Sequence, residues 1–196
     1  MSSNSISKGR LLIITAPSGA GKTTVVHHLL REFDQQLAFS VSATTRPPRP
    51  GEIDGVDYYF ITPEEFDAAI AQDQFAEWEE VYAGRKYGTL KSEIKRLWSM
   101  GQTIVFDLEV VGATKLKKMY PEESLAVFVQ PPSSDILFER LRNRATEDAE
   151  SLNARIERAS LELSYANSFD LILVNDELEN TLQDARQIVL DFLSLN

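Results

Sequence analysis

The chain of 196 residues contains no cysteine. Disulfides, thiolate zinc sites, iron–sulfur clusters and a cysteine nucleophile are therefore excluded, while a reducing compartment is permitted. Histidine is scarce too. His27 and His28 are the only two, and neighbours on a helix point to different faces, which makes them a poor metal pair. Long apolar runs are missing. The stretch Leu11 to Ala16 falls far short of the ~20 residues that a membrane-spanning helix needs, and it runs straight into a glycine loop, unlike a secretory leader. A cytoplasmic location, with no membrane partner, is the expectation. Positive charge is absent from one segment: Gly51 to Glu80 holds ten Asp or Glu residues and no Lys or Arg, which by itself accounts for the net charge of -10. That balance argues against a nucleic-acid partner, because proteins that wrap polyanions carry a basic excess or stripe.

What is present is a globular composition, 43% apolar and 26% charged, with a length suited to one compact domain plus insertions. RLLIIT (10 to 15) reads as a buried strand, and Val25, Val26, Leu29, Leu30 and Phe33 then recur at helical spacing. FSVSA (39 to 43) and VDYYFI (56 to 61) read as strands, separated by a segment whose three prolines and two glycines forbid a regular helix. PEEFDAAIA reads as a short helix with Pro63 in its first position. WEEVYAGRKYG reads as a hairpin, and a helix follows at roughly 90 to 100. TIVFD (103 to 107) is a continuous apolar run ending in an acid, as in a strand buried on both faces. Beyond it come a helix, the LAVFVQ strand, a helix at 133 to 143, an Arg-rich helix at 150 to 166, the LILV strand and a last helix from Glu177. Strands alternating with helices predict an α/β fold, a parallel sheet with helices on both faces. The acidic stretch interrupts the alternation and predicts a small β-rich insert.

Ala16-Pro17-Ser18-Gly19-Ala20-Gly21-Lys22-Thr23 lies between the first strand and the first helix, with Thr24 next. A P-loop has to sit there, so that backbone N–H groups and the helix N-terminus face a phosphate. Alanine replaces the usual first glycine, so position 16 must have a backbone angle that a Cβ tolerates. In this reading Lys22 reaches the β- and γ-phosphates and the Thr23 hydroxyl ligates Mg²⁺. Asp107, closing the buried TIVFD strand, is the candidate acid for holding the magnesium through water.

Thr45-Arg46, Arg49, Glu52, Gly55, Tyr58 and Phe60 match a long signature, T-[ST]-R-x-x-[RK]-x-x-[DE]-x-x-G-x-x-Y-x-F, in every spacing. On these residues and the P-loop, the chain from about Arg10 onward resembles the guanylate kinase family. The resemblance implies a P-loop core at 1–38 and 90–196, a GMP-binding insert at 39–89 and an Arg-rich lid at about 133–165. It implies transfer of the γ-phosphoryl group of ATP to GMP with Mg²⁺, and small-molecule partners only. The oligomeric state is left open.

The residue chemistry fits. Arg46 and Arg49, on a proline-stiffened loop, offer bidentate forks to one phosphate, and Tyr58 and Tyr87 could add hydroxyls. Guanine offers N–H donors at N1 and N2 and an acceptor at O6, so a carboxylate suits one edge and hydroxyls the other. Glu77 resembles the family's guanine-binding glutamate, Ser42 and Thr89 its hydroxyl partners; Glu52, Gly88, Asp107 and Glu109 complete the implied GMP set. Lys22, Arg140, Arg144 and Arg155 are the implied transfer charges, together with Arg46, and Arg144 and Asn175 correspond to the family's adenine region. Arg142 and Arg158 read instead as helix-surface charges near Glu139 and Glu162.

Two departures stand out. Val111 takes the place of the family's usual glutamine before Gly112, and Ala145 that of a common lid glycine. Two other functions remain open on sequence alone: an interaction module that binds a phosphorylated peptide in the old GMP site, and a kinase for another small acceptor.

Overall fold

Leu11, Leu12, Ile13 and Ile14 are all buried, and they alternate between two apolar clusters: Leu12 and Ile14 enter one, Leu11 and Ile13 the other. A strand apolar on both faces must be covered on both. The computed structural model describes residues 9–82, 84–144 and 149–194. Its elements, in chain order, are β1 (Leu11–Thr15), α1 (Lys22–Glu32), β2 (Leu37–Phe39), β3 (Ala43–Thr44), β4 (Tyr59–Phe60), α2 (Pro63–Ala71), β5 (Phe75–Tyr82), β6 (Arg85–Leu90) and α3 (Lys91–Ser99). Then follow β7 (Thr103–Leu108), α4 (Val110–Met119), β8 (Ser124–Gln130), α5 (Ser134–Arg144), α6 (Ala149–Ser164), β9 (Leu171–Val174) and α7 (Leu178–Ser194). No helix among the described residues is long and apolar enough to cross a membrane.

The first sheet is parallel throughout, in the order β2-β7-β1-β8-β9. Val25 and Leu29 of α1 and Ala185 and Val189 of α7 pack into the cluster on one face, with Leu137 and Leu141 of α5. Ile94 and Leu97 of α3, with Ala113 and Leu116 of α4, fill the other. Each buried Val, Leu or Ile among them contributes about 1.5–3 kcal/mol relative to exposure. This is the predicted α/β architecture.

The topology places the site. Ile14 lies opposite Asp107 and Thr15 opposite Leu108, so the segments following β1 and β7 leave the same sheet edge side by side. The first turns into α1 on one face and the second into α4 on the other, which opens a crevice beyond the strand ends. The Thr15 hydroxyl donates to the Leu108 carbonyl at 2.9 Å and ties the two exits together.

A second sheet, β4-β3-β6-β5, is built from the insert. Here two sequence expectations are corrected. FSVSA is not one strand: Ser40 N–H still donates to Val105 of the first sheet, while the Ser42 carbonyl already accepts from Tyr59 of the second. VDYYFI shortens to Tyr59–Phe60, because Asp57 accepts from Ile53 N–H and Asp54 from Phe60 N–H, which hold the preceding residues in a turn with Val56 exposed. The hairpin is present, with β5 and β6 antiparallel from Phe75 opposite Leu90 to Tyr82 opposite Arg85. Thr62 and Glu65 form a reciprocal capping box ahead of Pro63, which fixes the start of α2. Phe66 of α2 stacks on Phe75 at 4.3 Å between ring centroids, the centre of the insert's own small core.

Candidate functional site

The loop between β1 and α1 has the shape its glycines allow. Gly19 and Gly21 adopt φ of 87° and 96°, left-handed values that a side chain would strain, and Gly21 caps the helix. A Cβ at Gly21 would also lie 2.3 Å from Nδ2 of Asn175. Ala16 meets its expectation: Asp73 is the only non-glycine with positive φ among the described residues, and Ala16 is buried. Pro17 and Ala20 close a turn through Ala20 N–H to the Pro17 carbonyl at 3.1 Å. Asn175, buried, donates from its amide to the Ala20 carbonyl at 2.6 Å, so it props the loop from beneath and does not line the cavity described next.

A cavity of about 340 Å³ lies across the crevice. It gathers Ser18, Lys22 and Thr23 from the loop, Ser42, Tyr58, Glu77, Tyr87 and Gly88 from the insert, Asp107 and Glu109 after β7, and Arg155 from α6. These residues, far apart in sequence, are thus brought together on one cavity wall. Among the remainder, Thr24 is exposed on α1, Arg140 is half-buried on α5 away from the lining, and Arg49 is exposed. The Arg144 side chain and Ala145 lie outside the described residues.

Lys22 is held at one end. Its ammonium donates to Asp107 Oδ1 and to the Leu108 carbonyl, each at 2.8 Å, with Glu109 at 4.0 Å. Burial opposes its charge, but Asp107 and then Glu109 outweigh that and hold its pKa above 10.5. Ser18 N–H donates to Glu162 Oε2 at 3.1 Å, so a carboxylate from α6 sits on the loop.

Glu77 marks the other end. It is 5% exposed, and burial raises its carboxyl above the usual range against the opposing hydrogen bond of Thr89. The Thr89 hydroxyl, wholly buried, donates to Glu77 Oε1 at 2.7 Å. It therefore stands behind the glutamate and not on the cavity wall. Gly112 explains how α4 approaches so closely, since a Cβ there would lie 2.7 Å from Glu77 Oε2. Gly88 is similarly crowded, since a Cβ there would lie 2.9 Å from the Glu77 carbonyl.

Arg46 is engaged within the insert. Both its terminal nitrogens donate to Glu52 at 2.6 Å, and its guanidinium lies over Tyr58, 4.8 Å from the ring centroid. The Arg46 hydrogen bond, ahead of the Arg49 backbone N–H, holds the Glu52 carboxyl down to about 2. Glu52 thus engages both terminal nitrogens of Arg46 and orders the loop through Arg49 N–H at 2.7 Å.

The lining residues that the sequence does not single out as site residues include Glu79, Gly112 and Arg158. Glu79 follows Glu77 by two along β5 and so shares its face, and Arg158 follows Arg155 by three along α6; these periodicities could have found both. Arg158 does pair with Glu162, at 2.8 Å, yet it faces the cavity and not a solvated surface. Val111 is exposed and outside the lining, so the missing glutamine removes nothing from the cavity wall. His28 pairs with Glu32 at 3.0 Å, and among the described residues no three His, Cys, Asp or Glu side chains cluster as a metal site would require.

A family model described as Guanylate kinase matches residues 8–191. Guanylate kinase of Bacteroides thetaiotaomicron is 46% identical over 186 residues, 95% of this chain and 91% of that protein. Guanylate kinase of Porphyromonas gingivalis is 44% identical over 185 residues, 94% of this chain and 98% of that protein. The crystal structure of guanylate kinase from Anaplasma phagocytophilum superposes with a TM-score of 0.72 at 28% identity, covering 96% of this chain and 87% of the other.

Proposed function

The chain belongs to the guanylate kinase family and is an ATP:GMP phosphotransferase, and we propose that it works by aligning the two nucleotides end to end in the one cavity that joins the loop lysine to Glu77. That single continuity carries the reading: a phosphate-binding loop at one end, a buried carboxylate at the other.

In this proposal ATP lies along the loop, with Lys22 leaving Asp107 for the β- and γ-phosphates. GMP occupies the insert, residues 39–89. Glu77 accepts from guanine N1–H and N2–H, held by Thr89 from behind, while Ser42 donates to the opposite edge. Glu52 acts on GMP through Arg46, which it fixes beside Tyr58 and Tyr87; Arg49 supplies a second cation. The phosphate of GMP has its second pKa near ~6, so its attacking oxygen is already ionised at neutral pH and needs no general base. The protein's task is alignment and positive charge. Arg155 on α6 carries that charge over the transferring group and keeps water away, and Arg140 and Arg144 would join it on movement of α5 toward the nucleotides. Thr23 and Asp107 both line the cavity and offer hydroxyl and carboxylate oxygens, a donor set that suits Mg²⁺, which would supply positive charge to the phosphates. Both substrates are cytoplasmic nucleotides, which supports a cytoplasmic location.

The test is ADP release with ATP and each of GMP, AMP, CMP and UMP. GMP should dominate; GMP binding without turnover would point to an interaction module, and preference for another acceptor to a different kinase. A narrower expectation concerns Gly112→Ala. Its methyl group displaces the Glu77 carboxylate, so KM for GMP should rise at least tenfold with KM for ATP unchanged, as steady-state kinetics would record. Equal changes in both would remove Gly112 from the guanine site.

A further inference from the structure

Arg158 stands where the three parts of the molecule meet. Its Nε donates to Glu162 of its own helix at 2.8 Å, its Nη1 to the Val81 carbonyl of the insert at 3.2 Å, and its Nη2 to Glu109 beside α4 at 3.4 Å. Glu162 in turn receives Ser18 N–H of the phosphate loop. One guanidinium thus joins lid helix, insert and core. Glu79, on the insert, is also within its field: burial raises the Glu79 carboxyl and Arg158 opposes that rise. The Oε2 atom of Glu79 is buried and has no hydrogen-bond partner.

We propose that Arg158 is a positioning residue for phosphoryl transfer, the tie that seats α6 against both insert and core and so carries Arg155, one turn earlier, to the gap between the two nucleotides. The charge balance of the cavity gives it a second task. The lining carries five carboxylates, Asp57, Glu77, Glu79, Asp107 and Glu109, against three cations, Lys22, Arg155 and Arg158. Two anionic nucleotides entering such a wall need those carboxylates held in fixed places, and Arg158 holds Glu109 of that wall while its Nε keeps Glu162 of its own helix. A lysine offers a point charge and no planar fork, so it does not span three acceptors on three bodies.

The inference rests on GMP phosphorylation, which wild-type turnover with ATP and GMP checks separately. Arg158→Gln is expected to lower kcat roughly 10- to 100-fold with KM for GMP and ATP within about twofold, because the tie forms only when the parts are docked. Arg158→Lys should not restore the rate. Arg142→Gln, on the exposed side of α5, should match the wild type. A double-mutant cycle of Arg158→Gln with Glu109→Gln should be less than additive, which a globally damaged fold does not produce. Because the chain has no cysteine, Glu64→Cys and Glu157→Cys on exposed positions of α2 and α6 accept spin labels at unique sites, and the lid-to-insert distance with both nucleotides bound should broaden in Arg158→Gln. Full activity of Arg158→Lys, a raised KM for ATP at unchanged kcat, full additivity with Glu109→Gln, or an unaltered distance distribution would each overturn the proposal.

Discussion

Lys22→Met is expected to lower kcat by about 10³-fold, the upper range for removing one preorganised donor to developing charge, while KM for GMP hardly changes. The ammonium is the one cation on the loop itself, and its neighbours Asp107, Leu108 O and Glu109 keep it aimed across the crevice. Methionine retains the length of the stem and its packing, so the fold should persist. The Asp107 carboxylate loses its partner but remains 21% exposed, and water can serve it. The sign of the pH effect also follows. A lysine pKa raised above 10.5 keeps the ammonium charged through the whole working range, and the stabilisation from Asp107 is lost only as pH climbs through that raised value. No fall in kcat between neutral and mildly alkaline pH should therefore trace to Lys22. Rapid-quench single turnover measures the step directly; a kcat within tenfold of wild type would falsify the assignment.

Glu77→Gln should lower kcat/KM for GMP about 100-fold, since it replaces two charge-assisted hydrogen bonds to guanine, each worth about 1.5–3 kcal/mol, by one neutral bond and an opposed N–H pair. Affinity for ATP should stay put. The same substitution should raise the thermal midpoint at neutral pH. Burial has lifted the folded-state pKa of Glu77 above 4.5, so the native state disfavours the ionised form that neutral pH imposes. Stability linked to this group is fully present below its unfolded pKa and is lost as pH rises through the folded one. The advantage of glutamine should accordingly shrink as pH is lowered toward 4.5 and vanish below it. GMP binding by the wild type should weaken over the same interval. Calorimetry across pH, paired with GMP titration, reads both; a destabilised Glu77→Gln, or equal losses toward GMP and ATP, would remove the carboxylate from its role.

The parts of this protein most legible in the sequence are those ruled by one local cause. Apolar continuity in LLIIT and TIVFDL produced buried parallel strands, and glycine spacing before Lys22 produced the phosphate loop. The insert was harder because its short strands are set by cross-chain pairing. Phe39 and Ala43 belong to different sheets although their segment alternates like one strand, and the turn at 53–58 is fixed by Asp54 and Asp57 side chains that periodicity does not register. At the site, residue types were readable and their duties were not. Thr89 and Asn175 have the right chemistry to face a nucleotide, yet the Thr89 hydroxyl donates to Glu77 and the Asn175 amide N–H to Ala20. Arg158 reads as one more charge on a solvated helix unless its spacing from Arg155 is weighed, and the approach of Val81 and Glu109 from elsewhere in the chain shows what it holds.

The hydrogen bond from Ser18 N–H to Glu162 has a further consequence for the proposed donor site. One backbone N–H of the loop serves an anion of the protein's own. Entry of a triphosphate is then an exchange of guests, one acceptor giving way to another, and affinity reflects only the difference between them. The loop keeps its shape between turnovers at the expense of some tightness, and the displaced carboxylate stays on hand to reclaim its donor when the spent nucleotide departs.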